Sequence, residues 1–260
     1  MAIVDTHSHL TLCKLPVEDH LRLASENGIT HILDPGLHFE DFENRYQNLQ
    51  YFPEVLLGLA VAPHSRISEK FKEESLEELI GGMEAVLERY KKHISAICEI
   101  GLDYYHLNRT KDFQKKLFLE QLKLAEKYDL PFFLHIRDAY EDALEVVKQS
   151  GYQRGAVHCF TGNENNAKAC LEWGLCLSFS GMVTFKKNLS LQEIAKKIPL
   201  DRILTETDAP FLSPVPFRGK PNQSAYLLHI QQFIAHLRGI EVEALNKQCF
   251  KNFKNLLKID

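Results

Sequence analysis

Three polar side chains recur at every second position near the start of the chain: Asp5, His7 and His9 in the stretch IVDTHSHL. Alternate residues of a strand point to the same side, so His7 and His9 would project together from its exit, where two imidazoles could share a metal ion. An isolated His-x-His pair is more often two hydrogen-bonded histidines than a metal site, so it calls for partners elsewhere. Candidates end four further apolar runs: Glu99 in ISAICEIG, His135 in PFFLHI, His158 in GAVHCFTG and Asp208 in DRILTETDAP. Imidazole and carboxylate groups are the usual protein ligands of divalent cations.

For these six residues to meet, the runs that carry them must lie side by side. Eight apolar segments read as strands, over residues 2–7, 29–36, 55–63, 94–101, 131–136, 155–162, 175–181 and 201–210. Between them lie stretches of helical spacing, among them 111–129, where Phe113, Leu117, Leu122 and Ala125 share a face, and 139–151 and 163–174, each closed by glycine. Two more helical segments, about 222–238 and 241–257, follow the last strand. Eight near-continuous apolar strands alternating with helices predict a parallel sheet covered on both sides. The count of eight favours a (β/α)8 TIM barrel over a doubly wound open sheet. No glycine-rich dinucleotide loop follows any strand, which weakens the open sheet. Without a linker, repeat or low-complexity tract, residues 1–260 read as one domain.

In such barrels chemistry sits at the C-terminal ends of the strands, which is where the six candidates fall. With Glu99 and His158 facing the barrel mouth, the two-residue period sends Cys98 and Cys159 towards the helices. Taken singly, His135 or His158 could be a core histidine, Glu99 an ion-pair partner and Asp208 a helix cap. Convergence from separate strand ends predicts a dinuclear metal site instead.

Composition narrows the classes. With 45% hydrophobic and 25% charged residues the chain reads as globular, and its net charge of -4 gives no reason to expect avid nonspecific binding to nucleic acid or membranes. Six cysteines without a C-x-x-C pair read as reduced thiols. No secretory signal pattern and no apolar run of about 18 residues is present, so a cytoplasmic location without membrane contact is expected.

The motifs DTHSHL, EIGLDYY, LHIRDA, HCFTG, ETDAPFLSP and RGKPN, in this order from Asp5 to about Asn222, resemble those of the TatD family of metal-dependent deoxyribonucleases in the amidohydrolase superfamily. The resemblance implies a distorted, single-domain (β/α)8 barrel with two divalent ions, Mg, Mn or Zn. One would lie near His7, His9 and Asp208, the other near His135 and His158, with Glu99 bridging. Three positions depart from the family pattern: Ala62 stands where the first histidine of G-x-H-P-H is common, with His64 kept, and Thr11 and Gln223 replace the usual Asp and Glu.

Two cations lower the pKa of a bound water, neutralise phosphate oxygens and stabilise the leaving oxygen, which fits hydrolysis of DNA phosphodiesters by an activated water near Glu99. Asp208 is the expected proton carrier, so Glu99 and Asp208 are the candidate catalytic residues, and Asp5 is expected to brace the histidines. His64, Arg137, Arg218 and Lys220 follow strand ends and are candidates for holding phosphate, with Lys186 and Lys187 weaker ones. Tyr104 and Tyr105 could stack bases, although a buried tyrosine with a bonded hydroxyl is commoner. DNA is therefore the expected partner, as substrate, and no obligate protein partner is evident. An amidohydrolase or esterase acting on a small amide, lactone or aminoacyl ester at the same centre is the alternative, and a non-enzymatic scaffold would not require six intact ligands.

Overall fold

The computed structural model describes residues 2–64 and 74–259. All eight expected strands form: β1 (Ile3–Asp5), β2 (Ile29–Asp34), β3 (Val55–Leu59), β4 (Ile94–Asp103), β5 (Phe132–Arg137), β6 (Gly155–Val157), β7 (Cys176–Phe179) and β8 (Ile203–Thr205). They make one sheet in the order β1 to β8, and β8 returns to β1 through a parallel bridge between Ser8 and Ala209. Among the described residues nine α-helices alternate with them: α1 (Val17–Glu26), α2 (Phe42–Leu49), α3 (Leu76–Tyr90), α4 (Lys111–Lys127), α5 (Tyr140–Ser150), α6 (Glu164–Glu172), α7 (Leu189–Lys197), α8 (Leu227–Arg238) and α9 (Val242–Leu257). The architecture is the (β/α)8 barrel that the alternation predicts.

Contacts cluster in two compact units. The first, residues 1–34, 158–172 and 176–260, holds β1, β2, β7 and β8 with α1 and α6–α9. Its core includes Val4, Ile32, Phe179, Leu204, Ile230 and Phe253, all nearly inaccessible to water. The second, residues 35–157 and 173–175, holds β3–β6 with α2–α5 around Leu59, Ile97, Ile100, Phe118 and Phe133.

In β4 every residue but Ser95 is buried, which explains its unbroken apolar run: helices and neighbouring strands cover both faces. Cys98 turns from the mouth and packs on Gly58 of β3, where a Cβ would lie 2.2 Å from its Sγ, so only glycine fits. On α4 the expected buried face is present at Leu117, Leu122 and Ala125, with Phe113 only half-buried. The same face also buries Gln114 and Gln121, whose amides bind the backbone at the end of β4 and just beyond β3. Gln121 receives the Val61 N–H at 2.7 Å and donates to the Val61 carbonyl at 3.1 Å.

The runs 155–162 and 201–210 yield strands of only three residues, because the chain turns: Cys159 has φ 42° and Asp208 φ 57°. Likewise α8 starts at Leu227 and not near 222, since Asn222 is committed to the loop before it and residues 224–226 form a single 3-10 turn. None of the six cysteines is in a disulfide. Burial pushes the thiols of Cys170 and Cys249 up to about 12, which keeps them protonated and unreactive. No helix among the described residues is long and apolar enough to cross a membrane.

Candidate metal centre

In the first unit His7, His9 and Asp208 each offer a ligand atom, and the three atoms lie within 4.8 Å of one another. His9 Nε2 is 3.7 Å from Asp208 Oδ1, and the rings of His7 and His9 meet edge to face at 5.0 Å. Metal–ligand bonds of roughly 2.0–2.2 Å let one cation join donors up to about 4 Å apart, which includes His9 Nε2 and Asp208 Oδ1 at 3.7 Å. The His-x-His pair lies beyond the end of β1, whereas the alternation places it on the strand. Its register is set instead by the segment after β8, through Asp208 N–H to His7 O (2.9 Å) and His9 N–H to Ala209 O (2.8 Å).

Asp208 itself occupies the left-handed region, which costs free energy for a residue other than glycine and concentrates at functional sites. Two buried side chains hold the segment there. The Asp5 carboxylate accepts the Thr207 N–H at 2.8 Å and the Thr207 hydroxyl at 2.6 Å. Asn222 donates from Nδ2 to the carbonyls of Thr207 (2.7 Å) and Phe211 (2.6 Å), and its own N–H reaches Pro210 O at 3.0 Å. Asp5, expected to brace imidazoles, thus braces the backbone next to Asp208, besides a long 3.4 Å contact with the His7 N–H. Burial pushes the Asp5 carboxyl up to about 7, against the lowering effect of its hydrogen bonds from Thr207.

His158 stacks on His7 at 3.9 Å, with the rings 10° from parallel. Glu206 lies behind it: Oε1 is 3.3 Å from His158 Nδ1 and accepts the Cys159 N–H at 2.7 Å. Burial raises the pKa of Glu206, but the hydrogen bond and charge of His158 outweigh it and hold the carboxyl below its ordinary value.

The second unit carries another donor group, formed by His64, Asp103 and His135, again with ligand atoms within 4.8 Å. Asp103 ends β4 beside Arg137 of β5, and Gln114 grips its backbone by accepting its N–H (2.8 Å) and donating to its carbonyl (3.0 Å). Its Oδ2 lies 3.1 Å from His135 Nε2 and 2.7 Å from His106 Nδ1. Burial alone would raise the Asp103 carboxyl; the two imidazoles hold it well below the carboxylate range. His64, expected to meet substrate, stacks on His135 at 4.3 Å and places Nε2 3.2 Å from Glu99 Oε1. Gly101 makes the β4–β5 approach possible: at φ 133° its absent Cβ would sit 2.2 Å from the His135 carbonyl oxygen.

Of the expected residues, the first unit therefore assembles Asp5, His7, His9, His158 and Asp208, and the second Glu99, His135 and His64. Asp103, His106, Glu206 and Asn222 were missed as site residues. Asp103 carried a faint signal, since it continues the two-residue alternation from Glu99 within EIGLD; Glu206 lay within the quoted ETDAP and Asn222 within RGKPN.

Besides His64, the other three expected phosphate contacts each rest on an aromatic ring: Arg137 on Tyr105 (4.6 Å), Arg218 on Phe185 (4.1 Å) and Lys220 on Phe217 (5.8 Å). None is paired with a carboxylate of the described residues, whereas Arg22, Arg45, Arg109 and Lys115 are. Tyr104 takes the bonded fate of a half-buried tyrosine, donating to Asp142 at 2.6 Å, while Tyr105 is exposed.

The family model described as TatD related DNase matches residues 4–258. An uncharacterised metal-dependent hydrolase of Buchnera aphidicola from Acyrthosiphon pisum is 33% identical over 266 residues, spanning all of both chains. The 3'-5' ssDNA/RNA exonuclease TatD of Erwinia billingiae is 38% identical over 191 residues, 70% of this chain and 73% of that protein. Among solved structures, the TatD homologue YJJV of Escherichia coli K12 superposes with a TM-score of 0.88 at 26% identity, covering 99% of this chain and 98% of that one.

Proposed function

Because the chain belongs to the TatD-related DNase family of metal-dependent hydrolases, we propose that it cleaves phosphodiester bonds of DNA at a centre of two divalent cations. The observation that carries this reading is the pair of imidazole–carboxylate donor groups, one of them in register with Arg137, a cation without a carboxylate partner among the described residues. The donor set fits divalent metals: His7, His9 and Asp208 would hold an ion in the first unit, and His135, with its neighbours, offers donors for another in the second. His64 and Asp103 stand beside His135 as further donors.

When bound, the cations supply Lewis acidity, which neutralises phosphate oxygens and makes a water acidic enough to attack at neutral pH. Asp208 takes the proton released from that water on a carboxylate oxygen and returns it to the leaving alkoxide. Asp5 and Asn222 hold Thr207 and so fix where that carboxylate stands. Glu206 keeps His158 Nδ1 engaged, which directs Nε2 outwards as a ligand. Arg137, Arg218 and Lys220 bind the flanking phosphates, and their aromatic supports restrict the guanidinium and ammonium groups to the site.

The test is to strip the protein of metal, reload it with Mg, Mn or Zn, and assay single-stranded DNA, duplex DNA, RNA and a panel of small esters, lactones and amides. Ion-dependent release of nucleotides is expected. Turnover of small esters or amides with no attack on any nucleic acid would replace this reading with that of a small-molecule hydrolase.

A further inference from the structure

Tyr105 is a large, mostly exposed ring, 63% accessible, on a backbone that is anything but loose. Asp103 Oδ1 accepts the N–H groups of both Tyr105 (2.9 Å) and His106 (2.8 Å), while its Oδ2 faces His135 and His106. The N–H of Tyr104 is bound to the Arg137 carbonyl at 2.9 Å, and the Arg137 guanidinium covers one side of the Tyr105 ring at 4.6 Å from its centre. One carboxylate thus ties an aromatic platform and a candidate metal ligand together. An unpaired cation lies at the edge of both.

A singly exposed ring is ordinary on a protein surface; what sets Tyr105 apart is the guanidinium held over it and the carboxylate it shares with His135. His106 meets the ring edge to face at 4.9 Å, and the ring is still 63% accessible, so a ring with an arginine over it can take a stacked nucleobase whose phosphate lies on the guanidinium. Stacking of this kind accepts every base and requires the base to be unpaired. We propose that Tyr105 and Arg137 form a subsite for one unpaired nucleotide, with Asp103 fixing its distance from the reacting phosphate. The inference rests on the phosphodiesterase reading and assigns to these two residues the place where an unpaired base is held.

The test is a cycle of two deletions, read as binding. Short single-stranded oligonucleotides with every base present, or with one base replaced by a tetrahydrofuran abasic unit at successive positions, are titrated by fluorescence anisotropy. The protein is loaded with calcium as a trial non-catalytic ion, and wild type is compared with Tyr105→Ala and Tyr105→Phe. At one position, loss of the base should weaken binding to wild type roughly 5- to 100-fold, the range for a single stacked base. That discrimination should fall below about twofold in Tyr105→Ala and survive in Tyr105→Phe, because ring and base contribute to one shared contact. Equal discrimination by wild type and Tyr105→Ala at every position, or none by wild type, would overturn the subsite. Retained discrimination without cleavage under catalytic ions would leave the subsite standing and reject the nuclease reading; cleavage without discrimination would do the reverse.

Discussion

Glu206 lies 3.3 Å from Nδ1 of His158, and both side chains are almost wholly shielded from water. A carboxylate on one ring nitrogen fixes the tautomer and raises the basicity of the other nitrogen, which is then the ligand. Glu206→Gln keeps the shape but removes the charge. It is expected to weaken divalent-ion affinity roughly 10- to 100-fold, the usual cost of losing such a partner. Competition with a chromophoric chelator measures this, and unchanged affinity would remove Glu206 from the metal centre.

Asn222 binds the carbonyls on both sides of Asp208, at Thr207 and Phe211. Asn222→Ala strands two buried acceptors, a loss of about 2 kcal/mol in total at modest cost per group. Thermal denaturation should register that loss. Steady-state kinetics should show a fall in kcat larger than the rise in KM, since the proposed general base would be displaced and the proposed phosphate contacts would not. A fall in stability with native kcat would make Asn222 a purely structural residue.

The folding pattern was legible because each β-strand is an apolar run closed by a turn residue, and all eight appeared within a few residues of their expected limits. His7, His9, Glu99, His135, His158 and Asp208 stood out because each interrupts or ends such a run. Asp103 and Glu206 were illegible as site residues for a physical reason: a carboxylate that supports an imidazole is recognised by what it faces. His135 and His158, their partners, are 32 and 48 residues away in sequence. The bond from Asp5 to Thr207 was illegible for the same reason, as the two are 202 residues apart.

His20 supplies a pH dependence separate from the metal centre. It is buried, its Nε2 accepts the Ser224 N–H at 3.1 Å, and burial pushes its pKa down from 6.5 to about 4. A histidine whose folded pKa lies below its unfolded value contributes stability above the unfolded pKa and loses it as the pH falls. Between pH 6.5 and about 4 the loss should reach on the order of 3 kcal/mol. His20→Gln should be less stable than wild type at pH 7.5 and should lack this acid limb in urea titrations. Parallel pH profiles for the two proteins would contradict the assignment.

Binding of DNA should depend only shallowly on salt. With a net charge of -4, the chain would hold phosphates only where local cations gather, so contact with about two to four phosphates is expected, each adding about -0.7 to the slope of log affinity against log salt for a single strand. Arg218→Ala or Lys220→Ala should lower the slope by about one phosphate. A steep slope indifferent to both substitutions would place the nucleic acid on another surface.

The most direct measurement is cleavage of an end-labelled single-stranded DNA oligonucleotide by metal-stripped, manganese-reloaded wild type beside Asp208→Asn treated in the same way. The expected result is ion-dependent cleavage by wild type and a rate roughly 10²- to 10⁴-fold lower in the variant, the range for loss of a general acid–base group. Cleavage at equal rates, or none by wild type under any ion, would contradict phosphodiester hydrolysis at this centre.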